Sequence, residues 1–200
     1  MSPAHVLEPT YQGLKQRLMD GAWPIGQRLD ATRLADDLGV SVTPVRDCLN
    51  RLVGERLVNF RPQEGYRVAR LSERSLRDLF GFVAALLDLA VLAPRPWDIA
   101  DEAWPDGLDH AGRTAALFSA IASLSDNTIL SETMDTLSER LNATRRLELR
   151  VLSDAEQEIA ELTLRLASGN GQLREGLAAY GARRRQAAAK FIELLEKHPE

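Results

Sequence analysis

One cysteine in 200 residues, Cys48, leaves no partner for an intrachain disulfide and no thiolate cluster for a metal within one chain. Only three histidines occur, His5, His110 and His198, which is little to work with for acid–base chemistry or imidazole ligation. Long apolar runs are also missing. The longest, Val83–Val91, is interrupted by Asp88 and falls short of the roughly 20 residues a membrane span needs. The opening MSPAHVLEPT has neither the basic nor the apolar stretch of a secretory signal, so the expectation is a cytoplasmic protein with no membrane partner. The chain has no glycine-rich phosphate loop, no nucleophile elbow and no Cys/His pair, so no enzyme is expected. Internal repeats and low-complexity tracts are absent as well.

What is present is an ordinary globular composition, 44% hydrophobic and 27% charged, with room for two small domains. The net charge of -4 is unevenly spread. Residues 1–72 hold 10 Lys/Arg against 8 Asp/Glu, whereas residues 73–200 hold 15 against 21. A mildly basic front on an acidic back suits an anion-binding module joined to a domain with another task.

Leu7, Tyr11, Leu14 and Leu18 fall on one stripe at helical period and predict a first helix over 7–20, stopped at Gly21. The turn Trp23-Pro24-Ile25-Gly26 leads into a short extended stretch, Gln27-Arg28-Leu29. Asp30 is placed to cap a second helix over 31–38, with Leu34 and Leu38 inward and Gly39 as its stop. Ser41 or Thr43 then caps a third helix with Pro44 in its first turn, where a missing N–H costs little. Val45, Leu49, Leu52 and Val53 form its apolar stripe, leaving Arg46, Asp47, Asn50 and Arg51 on other faces. Two short helices joined by a glycine-containing turn are the helix-turn-helix signature. Residues 57–60 and 65–70 read as two strands about a turn at 61–64, a hairpin placed as a wing.

After Ser72 the pattern is purely helical: one helix to about Leu92, a break at Ala93–Trp97, an ambiguous stretch over 98–107, then helices over about 108–124, 127–150, 153–168 and 172–196. The fold class expected is mainly α, an N-terminal winged helix-turn-helix over 1–71 followed by an all-α helical bundle over 72–200.

The run Pro24-Ile25-Gly26-Gln27-Arg28-Leu29, then Leu34-Ala35, then Gly39-Val40-Ser41-Val42-Thr43-Pro44-Val45-Arg46, then Glu55-Arg56-Leu57-Val58, then Gly65 and Val68, resembles the GntR family of bacterial transcription regulators over residues 8–71. The all-helical region behind it is similar, more weakly, to the FadR-like branch. The resemblance implies a regulator, a repressor rather than an activator, that binds a palindromic double-stranded DNA operator as a homodimer. The helical domain would supply the dimer contact and hold a small-molecule effector. The third helix would enter the major groove. The DNA-binding set would be Arg33, Ser41, Val42, Thr43, Pro44, Arg46 and Asn50, with Arg61, Gln63, Gly65 and Arg67 on the wing. Arg46 has the fork to grip a guanine edge or a phosphate. Val42 stands where the family often has arginine, so that contact would be apolar and less guanine-dependent.

Many FadR-like domains hold a metal with one Asp and three His. Those positions fall near Thr114, Phe118, Ile159 and Gly181, so no metal and no cofactor are expected. Asp109 and His110 read as a helix-capping surface pair, and Cys48 as a packed small side chain. An effector pocket would be lined by Phe118, Ile121, Ile159 and Leu162 and anchored by Arg140, Arg145, Arg146 or Tyr180. A pocket without its metal would take a more hydrophobic ligand; the alternatives are a constitutive DNA binder whose helical domain has stopped sensing, and a winged-helix protein-interaction module.

Overall fold

The computed structural model describes residues 3–92, 107–168 and 170–197. Contacts divide the chain into two compact units, Met1–Leu71 with Leu195–Glu200, and Ser72–Leu194.

The N-terminal unit opens with α1 (Pro3–Met19), which starts earlier than the apolar stripe predicts, and Gly21 follows at positive φ. β1 is the two-residue strand Arg28–Leu29. The Asp30 side chain accepts the backbone N–H groups of Thr32 and Arg33 and starts α2 (Ala31–Leu38). Those N–H groups hold the Asp30 carboxyl below its ordinary pKa. Gly39, at φ 66°, ends α2 in the left-handed conformation that glycine adopts without penalty. α3 (Val42–Gly54) follows, then β2 (Val58–Arg61) and β3 (Gly65–Val68). The sheet order is β1-β3-β2, both pairings antiparallel. The hairpin is the expected one; pairing of the short β1 with β3 adds a third strand. Helix, helix, helix and hairpin in this order form a winged helix-turn-helix.

The core of this unit gathers Tyr11, Leu14, Leu18, Leu29, Leu34, Ala35, Val45, Cys48, Leu49, Leu52, Val58 and Val68. Leu38 lies only partly buried against it. Tyr11 ties α1 to the end of α3: its hydroxyl donates to Glu55 Oε1 at 2.6 Å, and the Arg51 guanidinium lies 3.6 Å over its ring. Cys48 is buried, and burial first, then Asp47, pushes its thiol pKa up.

The second unit is all helical among the described residues. α4 (Glu73–Val91) is capped by Ser72, whose hydroxyl accepts the Ser75 N–H. α5 (His110–Ser123) is capped by Asp109 and α6 (Thr128–Arg146) by Asn127. α7 (Glu148–Val151), α8 (Ala155–Ser168), α9 (Asn170–Gln186) and α10 (Ala188–Glu196) complete it. The helix expected over 127–150 is therefore two, parted at Leu147, and the one expected over 172–196 is two, parted at Ala187. The break at 93–97 and the stretch 98–106 lie outside the described residues. α4 and α9 approach closely at Gly181, where a Cβ would sit 2.9 Å from the Ala84 Cβ. None of the described helices is long and apolar enough to cross a membrane.

Candidate functional site

The first turn of α3 is presented outward. Val45, Cys48, Leu49 and Leu52 take the inner face, because the stripe at i, i+3, i+4 and i+7 must be buried. The remaining positions then have to face away. Ser41, Thr43, Arg46, Asp47 and Asn50 are exposed. Ser41 is the N-cap in extended conformation, yet its hydroxyl makes no hydrogen bond to its own helix. The N-terminal N–H groups of a helix are unsatisfied within it and carry partial positive charge, so this turn is electrostatically open to an anion. Arg46, and Arg33 on α2, are exposed and have no ion-pair partner among the described residues.

Val42 sits differently from its neighbours. It is half-buried and packs against the core of the unit, and Pro44 is half-buried in the first turn. Asn50 is occupied: its Oδ1 accepts the Tyr66 hydroxyl at 2.7 Å, which ties α3 to the hairpin. Tyr66 in turn lies against Phe60, ring centroids 4.9 Å apart. On the wing, Gln63 and Gly65 have φ of 72° and 75°, which makes the turn tight. Arg61 is exposed and pairs with Glu64 at 3.6 Å. Arg67 is half-buried, pairs with Glu64 at 3.3 Å and donates to the Gly26 carbonyl at 3.2 Å. The fold thus brings Arg33, Ser41, Thr43 and Arg46 out as free groups, and holds Asn50, Arg61 and Arg67 in contacts of the unit's own.

The helical unit contains a second feature, a buried polar cluster. Phe118, Ile159 and Tyr180 are buried as core, with Phe118 and Tyr180 in an edge-to-face contact at 5.0 Å. Arg145 is fully buried 5.0 Å over the Phe118 ring. No well-formed hydrogen bond reaches its three guanidinium nitrogens among the described residues, although the Tyr180 hydroxyl lies close enough to interact with it. Arg146 is instead exposed and pairs with Asp109 at 2.9 Å, and Arg140 is half-buried. Of the four anchors expected, Arg145 and Tyr180 face the interior together.

His110 corrects the expectation of a surface pair. Asp109 is the exposed helix cap, accepting the Gly112 N–H at 2.8 Å, but His110 is 5% exposed. Its Nε2 lies 2.9 Å from Glu148 and its Nδ1 3.2 Å from Glu156. Ionised carboxylates only accept, so both contacts are hydrogen bonds together only when the imidazole carries two protons. Glu148 is fully buried and also accepts the Tyr180 hydroxyl at 3.1 Å and Arg184 at 2.7 Å; Arg184 pairs further with Glu158. Burial alone would raise the pKa of Glu148; the His110 hydrogen bond and the Arg184 and Arg145 charges outweigh it and hold the carboxyl below its ordinary value. Burial chiefly, and then Glu148, pushes the Tyr180 phenol well up, so its proton stays in place to donate.

Sequence reasoning missed His110, Glu148, Glu158 and Arg184 as members of this site. The signal was there in part: Arg184 continues the apolar stripe Leu173, Leu177, Tyr180, a position where only a paired arginine survives burial.

The family's metal positions do not fit a metal in this chain. Thr114 Oγ1 donates to the His110 carbonyl, Phe118 and Ile159 offer hydrocarbon, and Gly181 faces α4. Among the described residues no group of three or more His, Cys, Asp or Glu side chains is disposed to hold a metal ion.

Residues 8–68 match the family described as bacterial regulatory proteins, gntR family. The HTH-type transcriptional repressor GlaR of Escherichia coli (strain K12) is 36% identical over 85 residues, covering 40% of this chain and 39% of that protein. The HTH-type transcriptional regulator McbR of the same strain is 34% identical over 92 residues, 44% of this chain and 42% of that protein. The chain thus spans about two fifths of the length of the curated relatives it matches. Among solved structures, E. coli McbR/YncC superposes with a TM-score of 0.62 at 24% identity, covering 96% of this chain and 99% of that one. A GntR transcriptional regulator from Rhodococcus sp. RHA1 does so with 0.67 at 17% identity, covering 92% and 96%. These likenesses extend the fold assignment, mainly α behind a winged head, across both units.

Proposed function

We infer, from residues 8–68 belonging to the gntR family of bacterial regulatory proteins, that this chain is a cytoplasmic, sequence-specific DNA-binding transcriptional regulator and not an enzyme. The observation that carries the reading is the first turn of α3. Ser41, Thr43 and Arg46 stand exposed at a helix N-terminus with no partner in their own unit, beside a hairpin tied on by Tyr66 and Asn50. In the major groove, Arg46 would read a guanine edge, and Ser41, Thr43 and Arg33 would position the helix on phosphates. Gly65 and Gln63 at the wing tip leave room for close approach to the duplex.

The regulator acts as a homodimer on a palindromic operator, as a repressor. Support for the dimer comes from α4. Its inner face packs on α9, while Phe82, Leu89 and Leu92 on the outer face are 51%, 56% and 57% exposed, with exposed Ala85 between. A spacing of three and four residues makes this a continuous apolar line, of the kind that is covered in an assembly. The effector is a small molecule with an acidic group, held among Phe118, Ile159, Tyr180 and Arg145 without a metal. Arg145 supports this because a buried guanidinium without a well-formed hydrogen bond is costly, and an anion would relieve that cost. Binding changes operator affinity only by favouring one arrangement of the dimer over another.

The test is selection of bound DNA from a random-sequence library, followed by Arg46→Ala on the recovered site. Arg46→Ala should weaken the selected site by about 10–100-fold and leave non-specific DNA little changed. No enriched sequence, or full retention of the site by the variant, would favour the protein-interaction module instead.

A further inference from the structure

Two hydroxyls of α6 are spent within the helix: Thr133 donates to the Ile129 carbonyl at 2.6 Å and Thr136 to that of Glu132 at 3.0 Å. Ser138 departs from this pattern. It is 6% exposed, its Oγ is shielded from solvent, and it makes no hydrogen bond among the described residues. One turn on, Asn142 Oδ1 is shielded as well and accepts from none of them. Arg145 follows, fully buried, with no well-formed hydrogen bond to its guanidinium. These three residues stand at i, i+4 and i+7 and so share one face of α6, in a row about 10 Å long. Met134, Leu137 and Leu141 fill the apolar stripe beside it. Thr144 Oγ1 is also buried without a partner but falls outside the row. A buried polar atom left unpaired is costly, and three in line on one face make a pattern that a single molecule can satisfy.

We propose that Ser138 and Asn142 extend the effector site along α6 and are its specificity residues, selecting an acid whose carbon chain carries hydroxyl groups over a plain hydrocarbon acid. It rests on the effector reading above and reverses the more hydrophobic ligand that the sequence suggests. The groups dictate the pattern. The Arg145 guanidinium only donates and takes the carboxylate. Asn142 Oδ1 only accepts, so the ligand must bring a donor there, and the Ser138 hydroxyl donates or accepts. That donor is a hydroxyl and not an ammonium. A second cation beside Arg145 would lack an offsetting carboxylate, since Glu148 already serves His110, Arg184 and Tyr180. A chain of about five or six carbons, with a hydrogen bond at each end, spans the row. A hydrocarbon acid of the same length would reach Arg145 but leave Ser138 and Asn142 unpaired under apolar cover, where each keeps its desolvation cost.

The experiment uses the full chain and two matched pairs of probes, ribonate against pentanoate and galactonate against hexanoate, with affinity read by isothermal titration calorimetry. The hydroxylated member of at least one pair should bind at least about 10-fold tighter than its hydrocarbon twin. Ser138→Ala with Asn142→Ala should bring that pair to within about 3-fold by weakening the hydroxylated acid alone. Arg145→Met should weaken both members. Without any acid, Ser138→Ala should unfold at the same urea concentration as the wild type or a higher one, since it buries one orphaned group fewer. Hydrocarbon acids that bind as tightly as their twins, or a double variant that keeps the wild-type preference, would overturn the proposal while leaving Arg145 as the anchor of an acid. A Ser138→Ala protein that is less stable and keeps the preference would show the row to be a hydrated structural feature, which also overturns it. Binding of neither class at about 10 mM would instead overturn the effector reading itself.

Discussion

Glu148→Gln removes the one charge on which the interior of the helical unit converges. The carboxylate is 0% exposed and accepts from His110 at 2.9 Å, Arg184 at 2.7 Å and Tyr180 at 3.1 Å. Glutamine can keep an oxygen toward His110 and Arg184 and turn its N–H₂ toward the Tyr180 hydroxyl, which can accept, but it supplies no charge to offset the buried guanidiniums. Arg184 then retains only Glu158, and Arg145 loses the nearest compensation for its buried charge. Breaking a buried pair by removing one partner costs about 3–5 kcal/mol, because the remaining charge stays desolvated. That is a large part of the roughly 5–15 kcal/mol that holds a domain folded. Urea unfolding followed by far-ultraviolet circular dichroism at pH 7 measures it directly. The same variant also carries a pH signature. The Glu148 carboxyl is held below its ordinary value of 4.5, so its stabilisation is fully present above that pH and fades as pH falls through the depressed value. The stability gap between wild type and variant should therefore be flat above about pH 5 and close below about pH 4. A loss under about 1 kcal/mol, or a gap that widens on acidification, would refute the description of Glu148 as a buried, charged hub.

Arg145→Met should leave the unliganded protein as stable or more stable by about 1–3 kcal/mol in the same unfolding assay, since a buried guanidinium without a well-formed hydrogen bond gives way to hydrocarbon; a loss above about 2 kcal/mol would mean that its coulombic attraction to Glu148 dominates. On the dimer reading, Phe82→Asp on the outer face of α4 should shift sedimentation from dimer toward monomer with the helical circular dichroism signal intact; a wild type that sediments as a monomer, or a dimer unchanged by the substitution, would refute that role for α4. Gly39→Ala, at φ 66° in the cap of α2, should cost about 1 kcal/mol in thermal or urea unfolding; no loss would show that the turn relaxes freely. Tyr66→Phe should cost about 0.5–1.5 kcal/mol through the lost bond to Asn50 and loosen the hairpin's amide protection from hydrogen exchange; unchanged protection would mean that the Phe60 contact alone holds it.

The N-terminal unit was legible because its signals are local. Asp30 and Gly39 bracket α2 by cap chemistry, Pro44 and the stripe from Val45 to Leu52 set α3, and positive φ at Gln63 and Gly65 closes the hairpin. The extended stretch at Arg28 and Leu29 was legible but its pairing was not: two residues are too short to show period-two alternation, and they join the sheet only because β3 offers its free edge. The ends of helices without glycine or proline were equally silent. Nothing around Leu147 or Ala187 marks the parting of α6 from α7 or of α9 from α10. His110 failed for a different reason. Beside the capping Asp109 it looks like a polar residue at a surface helix start, and the groups that make its burial tolerable, Glu148 and Glu156, come from 38 and 46 residues away.

The same long-range pairing bears on how the proposed effector site would hold an acid through this chain's own side chains. A metal site concentrates positive charge in the core and holds it with ligands, so its charge is compensated whether or not an acidic ligand is bound. Here the interior positive charge is covalently fixed, as Arg145 and Arg184, and compensation is uneven: Arg184 has Glu148 and Glu158, while Arg145 has a ring face and charges beyond hydrogen-bond reach. On the effector reading, a carboxylate that reaches Arg145 gains its hydrogen bonds and also relieves an existing desolvation cost, so part of its binding energy is drawn from strain in the unliganded unit. That share is available to bias a change of arrangement only if the change alters how Arg145 is compensated. Arg145→Lys separates the two contributions. It keeps the charge and loses the fork, so an acid should bind at least 10-fold more weakly while the unfolding stability of the unliganded protein stays within about 1 kcal/mol. Equal weakening by Arg145→Lys and Arg145→Met, with no change in operator affinity on adding acid to the wild type, would leave Arg145 as an anchor that does not signal.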